Sequence, residues 1–173
     1  MHVLIVEDNT VNQKLVQKTL RIYGCTFSVA WNGREALDYL ASDPSTCPRP
    51  DIILMDVSMP VMGGHEATSI IRTQPPFIHD PAVSTTPIIA LSANFFSSAA
   101  RNGSIGFDDT INKPIRPERL RRLLLFWSKK RVVPRPDGAL PVQRSGNTVP
   151  VPPAAVPWGP ALLRGYRGPR SLL

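Results

Sequence analysis

Five polar side chains in this sequence each stand at the end of a short strand-like segment, four of them after apolar runs, and together they could do chemistry. Residues 3–6 (Val-Leu-Ile-Val) lead straight into Glu7 and Asp8, and residues 52–55 into Asp56. Residues 88–91 lead into Ser92, and the short segment 109–112 leads into Lys113. Taken singly, each has a plain explanation: an acidic pair behind a strand caps a helix or faces solvent. A lone serine closes a strand, and Lys-Pro punctuates a loop. Their recurrence at equivalent places asks for more. Three carboxylates gathered in one cleft cannot all stay ionised without a cation. Carboxylate oxygens with room for water suit Mg²⁺, which takes one or two protein carboxylates and completes its shell with waters and phosphate oxygens. Lys113 adds a point positive charge and Ser92 a hydroxyl donor. The set describes a phosphoryl site: metal and lysine to meet charge, a hydroxyl for one oxygen, and a carboxylate to attack.

That convergence depends on the elements between these residues. Short continuous apolar runs bounded by turn residues read as strands buried on both faces of a parallel sheet. Five strands are expected, at residues 3–6, 26–30, 51–56, 87–92 and 109–112. Helical spacing separates them. Thr10 is expected to cap a first helix whose apolar face holds Val11, Leu15, Val16, Leu20 and Tyr23, stopped by Gly24. Asn32 caps a second helix carrying Ala36, Leu37 and Leu40, and Gly63-Gly64 opens a third that Pro75-Pro76 ends. Residues 75–86 are long for a connection of this kind, and are expected to be a polar surface insertion. A weak fourth helix is expected over 93–106, interrupted by glycines. A fifth starts at Pro117, with Leu120, Leu123, Leu124 and Trp127 inside and Arg119, Arg121 and Arg122 outside. Five strand–helix repeats imply an α/β, flavodoxin-like doubly wound sheet of order 2-1-3-4-5. In such sheets ligands bind at the carboxyl ends of the strands.

Composition narrows the class further. With 173 residues, 42% hydrophobic, the chain can bury one core and is not wholly disordered. No apolar run approaches the ~20 residues of a membrane span, and because Glu7 and Asp8 interrupt the first apolar run a cleaved leader is not expected. Two cysteines, Cys25 and Cys47, make no disulfide framework, so a reducing, intracellular setting is expected, cytoplasmic or nuclear. Residues 1–128 hold twelve basic and twelve acidic side chains, whereas residues 129–173 hold eight basic ones and only Asp137. The whole net charge of +7 therefore belongs to the C-terminal segment, which also carries nine of the 19 prolines. We expect a folded domain over residues 1–130 and a Pro-rich, basic, disordered tail over 131–173.

The motifs, in order, resemble the receiver domain of two-component response regulators over about residues 2–128. The matching text is Val3-Leu-Ile-Val-Glu-Asp-Asn9, Asn32-Gly33, Met55-Asp-Val-Ser-Met-Pro-Val-Met-Gly63, Ile88-Ile-Ala-Leu-Ser-Ala-Asn94 and Lys113-Pro114. Stretches such as Ala30-Trp-Asn-Gly-Arg-Glu-Ala-Leu37 are most similar to the receivers of fungal hybrid histidine kinases. The resemblance implies that Asp56 accepts a phosphoryl group from a phosphohistidine on a histidine kinase or histidine phosphotransfer protein. It implies that Asp8 ligates Mg²⁺, that Glu7 supports the ion, often through water, and that the Ser58 carbonyl adds a ligand. Ser92 and Lys113 would contact phosphoryl oxygens, while Ser58 and Asn94 occupy positions that tune dephosphorylation. Thr110 stands where the family usually has an aromatic switch residue, so signalling through that surface is expected to differ.

Other readings remain. The chain could be a fragment of a longer hybrid kinase, or a pseudo-receiver acting only through protein contacts, which the complete acidic set opposes. Specific DNA binding is not expected, because residues 129–173 contain no amphipathic helix pair for a major groove. An aspartyl-phosphate phosphatase would need an Asp-x-Asp pair, and Ser58 stands at its second position. The expected role is that of a phosphoacceptor signalling domain rather than a separate enzyme.

Overall fold

A computed structural model describes residues 1–93 and 106–130. Its described strands, β1 (His2–Val6), β2 (Thr26–Ala30), β3 (Ile52–Asp56), β4 (Ile88–Ser92) and β5 (Asp109–Asn112), form one parallel sheet in the order β2-β1-β3-β4-β5. The described α-helices are α1 (Thr10–Ile22), α2 (Gly33–Ala41), α3 (Gly64–Thr73), a single turn α4 (Pro81–Ser84) and α5 (Pro117–Lys130). The flavodoxin-like order expected from the repeats is the one found.

Side-chain alternation divides the core into two layers. Leu4, Val6, Ile53 and Met55 pack on one face with Ala36, Leu40, Ala67 and Ile71 of α2 and α3. Val3, Ile5, Ile52 and Leu54 pack on the other with Val16, Leu20, Leu120 and Leu124 of α1 and α5. The central strands are covered on both faces, which is why they read as unbroken apolar runs. Each such Leu, Ile or Val contributes roughly 1.5–3 kcal/mol by leaving water. The helices that face them need only one apolar stripe each.

Three local expectations need correction. Asn9, not Thr10, caps α1: its Oδ1 accepts from the N–H groups of Val11 and Asn12 at 2.9 and 3.2 Å. With Thr10 already helical, the face of α1 turns. Val11 is 74% exposed and Leu15 40%, while Gln13 and Thr19 are buried beside Val16 and Leu20. The expected polar insertion at 75–86 is also partly structured. A 3₁₀ turn (Phe77–His79) and α4 place Phe77 and Val83 in the core. Asp80 caps α4 through the Ala82 N–H, with Pro81 at its first position. Arg72 of α3 then donates to the carbonyls of Ser84 (2.5 Å), Thr86 (2.9 Å) and Gly106 (3.0 Å), and pairs with Asp108 at 2.7 Å. The fourth helix expected over 93–106 and the tail expected over 131–173 lie outside the described residues.

Candidate functional site

Strand register brings the carboxyl ends level. Val6 pairs with Met55 and Asp56 with Leu91, so Glu7, one step beyond Val6, stands beside Asp56. Alternation then selects a face. Glu7 shares the parity of Val3 and Ile5, Asp56 that of Ile52 and Leu54, and Lys113 that of Ile111. All three therefore turn toward the α1–α5 layer at the top of the sheet. Lys113 is placed by its backbone N–H, which continues the β4–β5 ladder by donating to the Ser92 carbonyl at 2.7 Å.

The resulting cluster is largely buried. Glu7 is 1% exposed and Asp56 4%, whereas Asp8 is open to solvent. Lys113 Nζ lies 2.5 Å from Asp56 Oδ2 and 3.0 and 2.8 Å from the two oxygens of Glu7. One carboxylate oxygen from each of Glu7, Asp8 and Asp56 falls within 4.8 Å of the others. At an effective dielectric of ~20, two like unit charges ~5 Å apart repel by about 3 kcal/mol. One ammonium cannot offset three carboxylates at that spacing. Glu7 Oε2 is also buried without accepting a hydrogen bond, its charge met through the ion pair with Lys113. An all-oxygen donor set, one of its buried carboxylate oxygens met by an ammonium that Asp56 shares, fits a hard divalent cation. Burial works against the Lys113 charge, but the hydrogen bonds and charges of Asp56 and Glu7 outweigh it and hold its pKa above the ordinary lysine value.

The β3–α3 connection closes over Asp56. Gly64 starts α3 so close to β3 that an added Cβ would stand 2.2 Å from the Asp56 carbonyl oxygen, and only glycine permits that approach. The Ser58 N–H donates to Asp56 Oδ1 at 3.2 Å. In the same loop Val61 has φ of +67° and is 82% exposed. A β-branched residue rarely adopts that backbone, which costs of order 1–3 kcal/mol.

The structure thus gathers Glu7, Asp8, Asp56 and Lys113, with Ser58 bonded to Asp56 through its backbone. Ser92 ends β4, buried, beside Lys113 along the ladder. Its parity is that of Ile88, on the α3 side of the sheet. Thr110 lies half-buried on β5, and its carbonyl accepts from Arg119 Nη2 at 3.4 Å. Asn94 lies outside the described residues. Two residues were missed from sequence. Asn12 Nδ2 donates to Glu7 Oε1 at 2.9 Å, and the buried Gln13 donates from Nε2 to the Glu7 carbonyl at 2.6 Å. The available signal was a pair of amides in the first turn of the helix that follows the acidic pair.

Comparison with known proteins agrees with this geometry. Residues 3–125 match the family model of the response regulator receiver domain. The chain is 41% identical over 128 residues to two-component system protein A of Emericella nidulans, covering 73% of this chain and 17% of that protein. It is 37% identical over 128 residues to the hybrid signal transduction protein dokA of Dictyostelium discoideum, covering 74% and 7%. The chain spans less than a fifth of the length of either relative. Among solved structures it resembles the receiver domain of the sensor histidine kinase PA1611 from Pseudomonas aeruginosa. That match has a TM-score of 0.59 and 33% identity, and covers 73% of this chain and 95% of the other, which holds a magnesium ion in its active-site cleft.

Proposed function

The chain belongs to the response regulator receiver family, whose function is to accept phosphoryl groups in two-component systems, and on that premise we propose that Asp56 is its acceptor. The observation that carries this reading is the half-buried Lys113 side chain whose ammonium bridges the buried Asp56 and Glu7, with Asp8 completing an acidic cleft. A carboxylate oxygen of Asp56 attacks phosphorus, the P–N bond to a phosphohistidine breaks, and the departing imidazole takes a proton from solvent. Lys113 shifts from the Asp56 oxygen to an oxygen of the arriving phosphoryl group, and the Ser92 hydroxyl meets another. Asp8, Glu7, Asp56 and the Ser58 carbonyl would hold Mg²⁺, which supplies Lewis-acid stabilisation of the charge on the phosphoryl oxygens. Through these residues the domain assists its own phosphorylation.

The donor is a histidine kinase or a histidine phosphotransfer protein. The exposed Val11 and Leu15 of α1 and the strained, exposed Val61 support a docking surface on the elements that lead away from the acidic pair and from Asp56. Residues 1–130 form the receiver unit, and the acidic pair, acceptor and lysine all fall within it. Relatives several times longer support a place for this sequence as the receiver portion of a hybrid kinase inside the cell. Among the described residues no helix is long and apolar enough to cross a membrane. The test is incubation of the whole chain with acetyl phosphate. Mg²⁺ should permit addition of a single phosphoryl mass, and EDTA should suppress it. Labelling at the same rate in EDTA would remove the metal from the account.

A further inference from the structure

Glu7 holds its two carboxylate oxygens in unlike states. Oε1 accepts from Asn12 Nδ2 at 2.9 Å, from Lys113 Nζ at 3.0 Å and from the Asn9 N–H at 3.4 Å. Oε2 is buried and accepts no hydrogen bond, although Lys113 Nζ lies 2.8 Å away. Among the described residues the ion pair with the shared Lys113 ammonium is what meets this buried oxygen, and burying it beside Asp8 and Asp56 is costly. The asymmetry therefore needs both something that holds it and something that uses it.

We propose that Asn12 is a positioning residue of the acidic site, holding Glu7 Oε1 so that Oε2 remains presented to a divalent cation shared with Asp8 and Asp56. This rests on the phosphoacceptor reading and adds a residue to it. The hold is built from the first turn of α1. Asn9 caps the helix by accepting from the N–H groups of Val11 and Asn12, which fixes where Asn12 starts. Gln13, the next residue, donates to the Glu7 carbonyl at 2.6 Å. Consecutive amides thus grip Glu7 at two points, Gln13 its backbone and Asn12 its side chain. Lys113 cannot take over the orienting role, because it is shared with Asp56 and sits within 3.0 Å of both Glu7 oxygens. The side-chain amide of Asn12 touches one oxygen alone, so it decides which oxygen is left to the ammonium and the cation. A residue that orients a metal's ligand without touching the metal typically changes affinity 10–100-fold when removed.

The experiment is a double-mutant cycle on the whole chain, titrating MgCl₂ alone by calorimetry and measuring thermal midpoints in EDTA. Asn12→Ala should weaken Mg²⁺ binding about tenfold while the metal-free midpoint moves by only a few degrees. In a Glu7→Gln background the same substitution should cause no further loss of affinity. Asn12→Ser, whose hydroxyl is too short to reach Glu7, should behave like Asn12→Ala and serves if the alanine variant does not fold. Mg²⁺ affinity within twofold of wild type in both Asn12 variants, or an equal loss in the Glu7→Gln background, overturns the proposal. Mg²⁺ binding that is unaltered by Asp8→Ala would instead overturn the reading of the site beneath it.

Discussion

Lys113 is the cation among the described residues that touches the acidic cluster, and pH should reveal what it contributes. Its pKa is held above the ordinary lysine value of 10.5 by Asp56 and Glu7 against the opposing effect of burial. A group whose folded pKa exceeds its unfolded one contributes stability in full below the unfolded value. That stability is lost as pH rises through the folded value. In EDTA, wild type should therefore exceed Lys113→Met in thermal midpoint by a constant margin between about pH 7 and 9. The margin should shrink as pH rises beyond the lysine range, and a margin that widened would contradict the pairing. Glu7, Asp8 and Asp56 were legible from sequence because they follow apolar runs, and Lys113 because it ends the short fifth strand; the strand order brings those ends together. Asn12 and Gln13 were not, because an amide in a helix has no meaning for Glu7 until α1 folds back beside the end of β1.

At the scale of elements, the tightest approach is that of α3 to β3. Gly64→Ala would drive a Cβ to 2.2 Å from the Asp56 carbonyl oxygen, a backbone atom that cannot move aside without shifting the acceptor itself. We expect a loss of about 2–3 kcal/mol, the upper part of the range for overpacking, together with slower phosphorylation. Equilibrium unfolding that showed no loss would mean that the connection is slacker than described. The central strands β1, β3 and β4 were readable because burial on both faces leaves an unbroken apolar run. The face of α1 was misread because Val11 and Leu15 have helical spacing too, and the capping by Asn9 decides which stripe turns inward. Residues 75–86 were misread as surface loop because their burial rests on three scattered residues, Phe77, Val83 and Thr86. The carbonyls of Ser84 and Thr86 are met by Arg72, which lies on α3 outside the segment.

For the whole molecule, charge and chemistry separate along the sequence. The net charge of +7 lies in residues 129–173, and the acidic cleft lies in a stretch that sums to zero. A chain ending at Lys130 should keep its thermal midpoint within a few degrees, since about 1 kcal/mol shifts a domain of this size by roughly 2–8 °C. It should also be phosphorylated at the full rate, and a larger drop in midpoint would move the domain boundary. The central claim, that Asp56 accepts the phosphoryl group, is tested most directly by locating the modification. The chain is treated with acetyl phosphate and Mg²⁺, then with borohydride, which converts an aspartyl phosphate to homoserine, and its peptides are mapped by mass. The account predicts homoserine at position 56 alone in the wild type, and none in a folded Asp56→Asn variant. Modification at another residue, or an undiminished phosphoryl mass on Asp56→Asn, would contradict it.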